Sequence, residues 1–89
     1  MNPIRYRRAP QAIWRASRSF LVATVPPSPP TRVAGSAAQV WRALAEPTTL
    51  DELAEALSTA TGAPYAQVRA DVSELVEQLV PLGLVEVVQ

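Results

Sequence analysis

The sequence contains no cysteine and no histidine. Without cysteine there is no disulfide framework, no thiolate nucleophile and no Cys-based zinc site. Without histidine the chain lacks the usual general base, the commonest metal ligand and any Ser–His or Cys–His pair. Catalysis would have to rely on Asp, Glu, Tyr and Ser within a chain of 89 residues. We therefore expect a protein that is not an enzyme, with no catalytic residue, no metal site and no cofactor.

Lysine is also absent, so every cationic side chain is an arginine. The net charge of zero hides a division, because residues 1–45 carry seven arginines and no acid, whereas residues 46–89 carry one arginine and eight acids. Such asymmetry is typical of a nucleic-acid surface or of an interface between complementary faces. A genome whose coding favours arginine over lysine explains the composition equally well, so the charge pattern alone leaves the partner open.

Long hydrophobic runs are missing as well. The apolar run that follows the first arginines spans only residues 20–25. A secretory signal needs about 7–15 apolar residues and a membrane span about 20. We expect a cytoplasmic protein without membrane association, folded as a single domain over residues 1–89.

The first part of the chain predicts short strands. Residues 12–16 form a candidate first strand, and residues 20–25 a stronger second one because of their β-branched content. The proline-rich segment 26–30 cannot continue a ladder, because proline has no N–H. Residues 31–34 then predict a short third strand, which the flanking prolines place at a sheet edge. The expectation is a small antiparallel sheet of about three strands within residues 12–34.

From Gly35 onward the periodicity becomes helical. Ser36 is the predicted N-cap of a first helix. Thr49 and Glu52 have the spacing of a capping box that opens a second helix, and Gly62 is its predicted C-cap.

The third helix begins near Pro64, where proline suits a first turn. Its apolar stripe comprises Tyr65, Val68, Val72, Leu75, Val76 and Leu79. Residues 84–88 predict a brief terminal strand. With helices over about residues 36–81, the order indicates an α+β fold, in which a small N-terminal antiparallel sheet precedes a three-helix winged helix-turn-helix.

The aromatic side chains are expected to serve packing. Tyr65 and Trp41 are predicted core anchors, the former with its hydroxyl at the surface. Trp14 lies on a strand among arginines and is expected to be half exposed, with Arg15 or Arg18 within reach of a cation–π contact.

Many winged-helix proteins bind DNA, but the third helix of this chain is poorly suited to that role. It offers Gln67 and Arg69, but then Asp71, Glu74 and Glu77, whose carboxylates would repel phosphates. An edge strand suits a different ligand, because its unpaired N–H and C=O groups accept a peptide as an added strand. We predict that the third strand and the third helix bind such a peptide.

Three ordered segments carry a resemblance to a known family. Residues 33–44 run from a strand through Gly and small residues to Val40-Trp41, residues 49–57 form the capped second helix, and residues 68–85 end on Leu82-Gly83-Leu84-Val85. Together, over roughly residues 5–88, the chain resembles PqqD-like proteins.

The resemblance implies a recognition element for ribosomally made, post-translationally modified peptides. Such a protein binds the leader segment of a precursor peptide and presents it to a maturation enzyme, such as a radical-SAM enzyme, a leader peptidase or a cyclase. The leader docks as a strand against the third strand, with its side chains in a groove bounded by the third helix. The implied peptide-binding residues are Thr31, Arg32, Val33, Val68, Asp71, Val72 and Leu75, and Arg32 and Asp71 are expected to give the groove one charge of each sign.

Two other classes remain as alternatives. A winged-helix DNA-binding protein would need a basic third helix. A small scaffold module would use the same edge to form a homodimer.

Overall fold

A computed structural model of the chain describes residues 3–88. The elements, in chain order, are β1 (Arg5–Arg8), β2 (Ile13–Ala16), β3 (Phe20–Thr24), β4 (Thr31–Ala34), α1 (Ser36–Ala43), α2 (Leu50–Thr61), α3 (Tyr65–Leu79) and β5 (Val85–Val88). The fold is α+β, with antiparallel N-terminal strands followed by three helices, as the sequence predicts.

The central feature of the N-terminal half is a three-stranded antiparallel sheet in the order β2-β3-β4. Strand β3 alternates buried and half-buried residues, and Leu21 and Ala23 face the core. Val33 of β4 pairs with Leu21 and is buried on the same face. Among residues 3–88, β4 has no neighbour beyond β3, so the predicted edge position is confirmed.

Strand β1 was not expected from the sequence. It pairs with β5 in a separate two-stranded sheet, which confirms the predicted terminal strand. On its other side the N–H of Tyr6 donates to the Thr48 carbonyl at 2.8 Å, and the N–H of Thr48 donates back at 2.9 Å. An ion pair of 2.6 Å between Arg7 and Glu86 crosses the β1–β5 ladder. Main-chain bonds therefore define this strand, and its charged sequence gives no alternating apolar signal.

The helix termini match the sequence in one case and differ in another. Helix α2 begins with the predicted capping box, in which Thr49 and Glu52 exchange two hydrogen bonds of 3.1 Å, and it ends at Gly62 with a φ of 75°. Ser36 is not an N-cap, because the helix already includes it and Gly35 occupies the cap position. Strand β4 runs directly into α1, and the whole change of direction falls on Gly35, at φ 62° and ψ −136°. Only glycine adopts that conformation readily.

The core lies between the inner face of the three-stranded sheet and the three helices. Trp41 is fully buried there, as predicted. The largest other side chains that are fully buried in the same core cluster are Leu21, Leu44, Leu53 and Leu84. Each such side chain contributes about 1.5–3 kcal/mol of hydrophobic stabilisation relative to exposure.

None of the helices in residues 3–88 combines the length and the hydrophobicity needed to cross a bilayer.

Candidate functional site

A groove of about 350 Å³ runs between α1, the end of α2 and α3. Its α3 wall is built from Val68, Asp71, Val72 and Leu75, the four helix residues singled out from the sequence. Their spacing of i, i+3, i+4 and i+7 places them on one helix face. The remaining lining residues are Ser36, Ala37, Gln39, Val40, Leu57, Thr61 and Ala63.

The four α3 residues have different environments. Val68 and Leu75 are half buried and present apolar surface to the groove. Val72 is only 2% exposed and belongs to the core as well as to the groove floor. Asp71 is exposed, and in the described part of the chain it is the one charged residue of the lining. The groove is therefore apolar with a single carboxylate.

The α1 wall was missed from the sequence. Ala37 and Val40 lie one turn apart on α1 and face α3 across the groove. Small residues at the start of α1 leave the space that the groove occupies, and this run of small side chains was the only available signal.

The strand residues Thr31, Arg32 and Val33 lie on β4 and do not line the groove. Val33 packs into the core. The side chain of Arg32 lies on the opposite face of the sheet, where its guanidinium stacks 4.4 Å from the centre of the Phe20 ring. The sequence led us to expect Arg32 and Asp71 in one groove as charges of opposite sign. In the structure Asp71 lines the groove and Arg32 lies outside it.

Hydrogen-bond directions in β3 follow from the turn that precedes it. The N–H of Ser17 donates to the carbonyl of Phe20 at 2.8 Å and closes the β2–β3 hairpin. The main-chain groups of Phe20 therefore face β2. Because these directions alternate along a strand, the groups of Leu21 and Ala23 face β4.

The same alternation determines which main-chain groups of β4 point toward β3 and which point outward. Val33 and Thr31 pair with the two β3 residues that face them and bond inward. Arg32 and Ala34 consequently turn their N–H and C=O groups toward the outer edge. Within residues 3–88 no strand covers that edge, so it can accept an added strand.

Asp51, Tyr65 and Arg69 form a polar cluster between the first turns of α2 and α3. Arg69 Nε donates to Asp51 Oδ1 at 2.7 Å, and the Tyr65 hydroxyl donates to the same oxygen at 3.2 Å. The bond from Arg69, with help from Tyr65, lowers the pKa of Asp51, and the same bond raises the pKa of Arg69. Desolvation, followed by the Asp51 charge, raises the pKa of Tyr65. These shifts stabilise the ordinary charge states, so the cluster joins two helices and supplies no base.

Tyr65 is not the core anchor expected from the sequence. Its side chain is 45% exposed. It occupies the first position of α3, where the apolar stripe extends beyond the end of the core.

A second cavity, of about 280 Å³, lies between β1, β2 and α1. Trp14 is 37% exposed there, as expected, and meets Trp41 edge to face at 6.2 Å between ring centroids. The cation over these rings is Arg8, at 4.9 Å from Trp14, and not Arg15 or Arg18. Arg15 follows Trp14 on β2, so its side chain points to the opposite face of the sheet. Arg8 lies on β1, which forms another wall of the cavity.

Among residues 3–88, no group of three Asp, Glu, His or Cys side chains is arranged to hold a metal ion.

Comparison with known proteins gives one family match. The family model of coenzyme PQQ synthesis protein D (PqqD) matches residues 30–85, which is more than half of the chain. The matched segment contains β4, all three helices and every residue of the groove. Comparison with curated proteins and with solved structures returned no match.

Proposed function

This chain belongs to the PqqD family, and on that premise we propose that it binds the leader segment of a ribosomally made precursor peptide and presents it to a maturation enzyme. Membership itself implies a non-catalytic accessory role in the biosynthesis of PQQ or a similar peptide-derived product. The observation that carries the finer proposal is the exposed edge of β4, which leads directly into one wall of an apolar groove.

The leader adds to β4 as a strand. Arg32 and Ala34 supply outward N–H and C=O groups, and a peptide backbone alongside them completes the ladder. These main-chain bonds provide affinity for any extended sequence. Selectivity has to come from the leader side chains that project from the added strand into the groove.

The groove supplies that selectivity. Val68 and Leu75 from α3 face Val40 from α1, and a leader side chain placed between them is removed from water. Each fully buried aliphatic or aromatic side chain contributes about 1.5–3 kcal/mol. Asp71 adds a carboxylate at the exposed side of the groove, which favours a leader with a basic residue beside its apolar anchors.

Presentation requires no chemistry from this chain. The enzyme that follows is of the kind that matures such precursors, a radical-SAM enzyme, a leader peptidase or a cyclase. By holding the leader in an extended form, the protein removes conformational freedom before the enzyme meets its substrate.

Calorimetric titration with the leader of a precursor encoded beside this protein tests the proposal. We expect a dissociation constant between micromolar and nanomolar, equivalent to about −8 to −12 kcal/mol. Leu75→Asp should weaken binding at least about a hundredfold, because it places a charge against an apolar anchor. The matched control is Gln78→Asp, which adds the same charge to an exposed position of α3 outside the groove and should bind like the parent. If no such leader binds at concentrations near a millimolar, or if both variants weaken binding equally, the proposal is wrong.

A further inference from the structure

We infer that the cavity between Trp14 and Trp41 is a second binding site, which takes a carboxylate side chain from a polypeptide partner other than the peptide held at β4. Its walls come from three elements: β1 and the loop after it, β2, and the end of α1. In contrast to the groove, it contains two arginines and no acid.

Arg8 is the charged centre of this site. Its guanidinium carbon lies 4.9 Å from the ring centroid of Trp14 and 5.7 Å from that of Trp41. Among residues 3–88 no carboxylate lies within ion-pair distance of Arg8, whereas its neighbour Arg7 is engaged by Glu86. A half-buried guanidinium held against two indole rings keeps its planar fork in one place, which suits bidentate binding of a carboxylate.

Trp41 supplies an independent observation. Its Nε1 is fully buried, and among the described residues it has no hydrogen-bond acceptor. Buried donors without a partner are rare in folded proteins, because the lost hydration is not replaced. Trp41 lines the same cavity as Arg8, whose guanidinium carbon lies 5.7 Å from the Trp41 ring centroid. In this proposal the carboxylate that pairs with Arg8 also supplies the acceptor that Nε1 lacks.

The geometry separates this site from the peptide at β4. Strands β4 and β3 both lie between an added strand and β2, so a strand added at β4 is three strand spacings away from Trp14, about 14 Å. Helix α1 also stands between the two sites, with Val40 in the groove wall and Trp41 in the wall of the second cavity. Arg7 of the lining is already paired with Glu86, whereas Arg8 has no carboxylate partner among the described residues. The group that enters here is therefore a carboxylate that pairs with Arg8, and it can bind while the groove is occupied.

Indole resonances allow a direct test, because the two tryptophans give two N–H signals. The parent protein is titrated with N-acetyl-glutamate N-methylamide and, as the uncharged control, with N-acetyl-glutamine N-methylamide. We expect the Trp41 N–H signal to move downfield and to saturate in the millimolar range with the glutamate probe, and to stay unchanged with glutamine. Arg8→Gln should abolish the shift. Arg18→Gln removes the same charge from an exposed turn outside the cavity and should leave the shift intact.

Several results would overturn the inference. These are an unmoved Trp41 signal, an equal response to both probes, or the same loss in Arg8→Gln and Arg18→Gln. Should Arg8→Gln lose the dispersed spectrum of a folded protein, Arg8→Lys replaces it, and the expected result is binding weakened about tenfold, because lysine keeps the charge but not the fork. A final titration uses the precursor leader alone. The partner is distinct if the leader leaves Trp41 N–H in place, and the assignment to a different partner is wrong if the leader reproduces the glutamate shift.

Discussion

Proline substitution in β4 distinguishes strand addition from side-chain recognition. The N–H of Arg32 points outward and the N–H of Val33 points inward to β3, so one proline removes a donor from the peptide and the other removes a donor from the sheet. An edge strand tolerates proline where its N–H faces solvent. Arg32→Pro should therefore fold, and Val33→Pro should not fold well.

The magnitudes follow from what each change leaves unpaired. In Arg32→Pro the peptide carbonyl opposite residue 32 loses its donor while it stays covered, which costs about 1–3 kcal/mol, or about 5- to 150-fold in affinity. Val33→Pro breaks a ladder bond and also replaces a side chain that is 3% exposed. Together these effects amount to about 3–5 kcal/mol, a large part of the total stability of a small domain.

Calorimetry with the leader peptide measures affinity, and thermal denaturation followed by circular dichroism measures the fold. Val33→Pro should lower the melting temperature by more than about 12 °C, since a domain of this size loses about 4–8 °C per kcal/mol. Arg32→Ala is the matched control, because it removes the same side chain but keeps the N–H, and it should bind within about twofold of the parent. Strand addition at β4 is refuted if Arg32→Pro stays folded and binds as tightly as Arg32→Ala.

Three further expectations concern the backbone, a carboxyl group and a competing function. Gly35→Ala should lower the free energy of unfolding by about 1–3 kcal/mol, and by more than Gly62→Ala does. The reason is that Gly62 lies in the left-handed region, which other residues can enter, whereas Gly35 lies outside it. Equal losses of stability in thermal unfolding would contradict this difference between the two glycines. Asp51 should titrate in NMR below its ordinary pKa of 3.8, and Arg69→Gln should raise that pKa toward the ordinary value. Since the folded pKa is the lower one, this contribution to stability is present above pH 3.8 and disappears as the pH falls through the folded pKa. Duplex DNA should bind weakly, without sequence preference and with a steep loss in salt, because the exposed face of α3 is acidic; a salt-resistant, sequence-specific complex would favour the DNA-binding alternative.

Elements with strong periodicity were predictable from the sequence. Apolar spacing located α3, and the Thr49 capping box located the start of α2. The edge position of β4 followed from the prolines before it. In each case the signal lies in neighbouring residues, so one sequence is enough to detect it.

Features that depend on distant residues were not predictable. Strand β1 exists because β5 and Thr48 bond to its backbone from either side, and neither is visible in the local sequence. The exposure of Tyr65 depends on where the core ends along α3. Likewise Arg8 contacts Trp14 because the tertiary fold places β1 beside it, although Arg15 and Arg18 are closer to Trp14 in sequence.

The two outer strands of the three-stranded sheet also affect how the protein behaves in concentrated solution. Strands β2 and β4 each expose a backbone edge within the described residues, and such edges tend to pair with identical chains and aggregate. Arg15 and Arg32 lie on these two strands, and like charges brought face to face oppose self-pairing. The Debye length falls from about 10 Å at 0.1 M salt to about 3 Å at 1 M, so this repulsion weakens as salt rises. Storage at low ionic strength should therefore keep the molecules apart, and a bound leader should protect the β4 edge at any salt concentration by covering it.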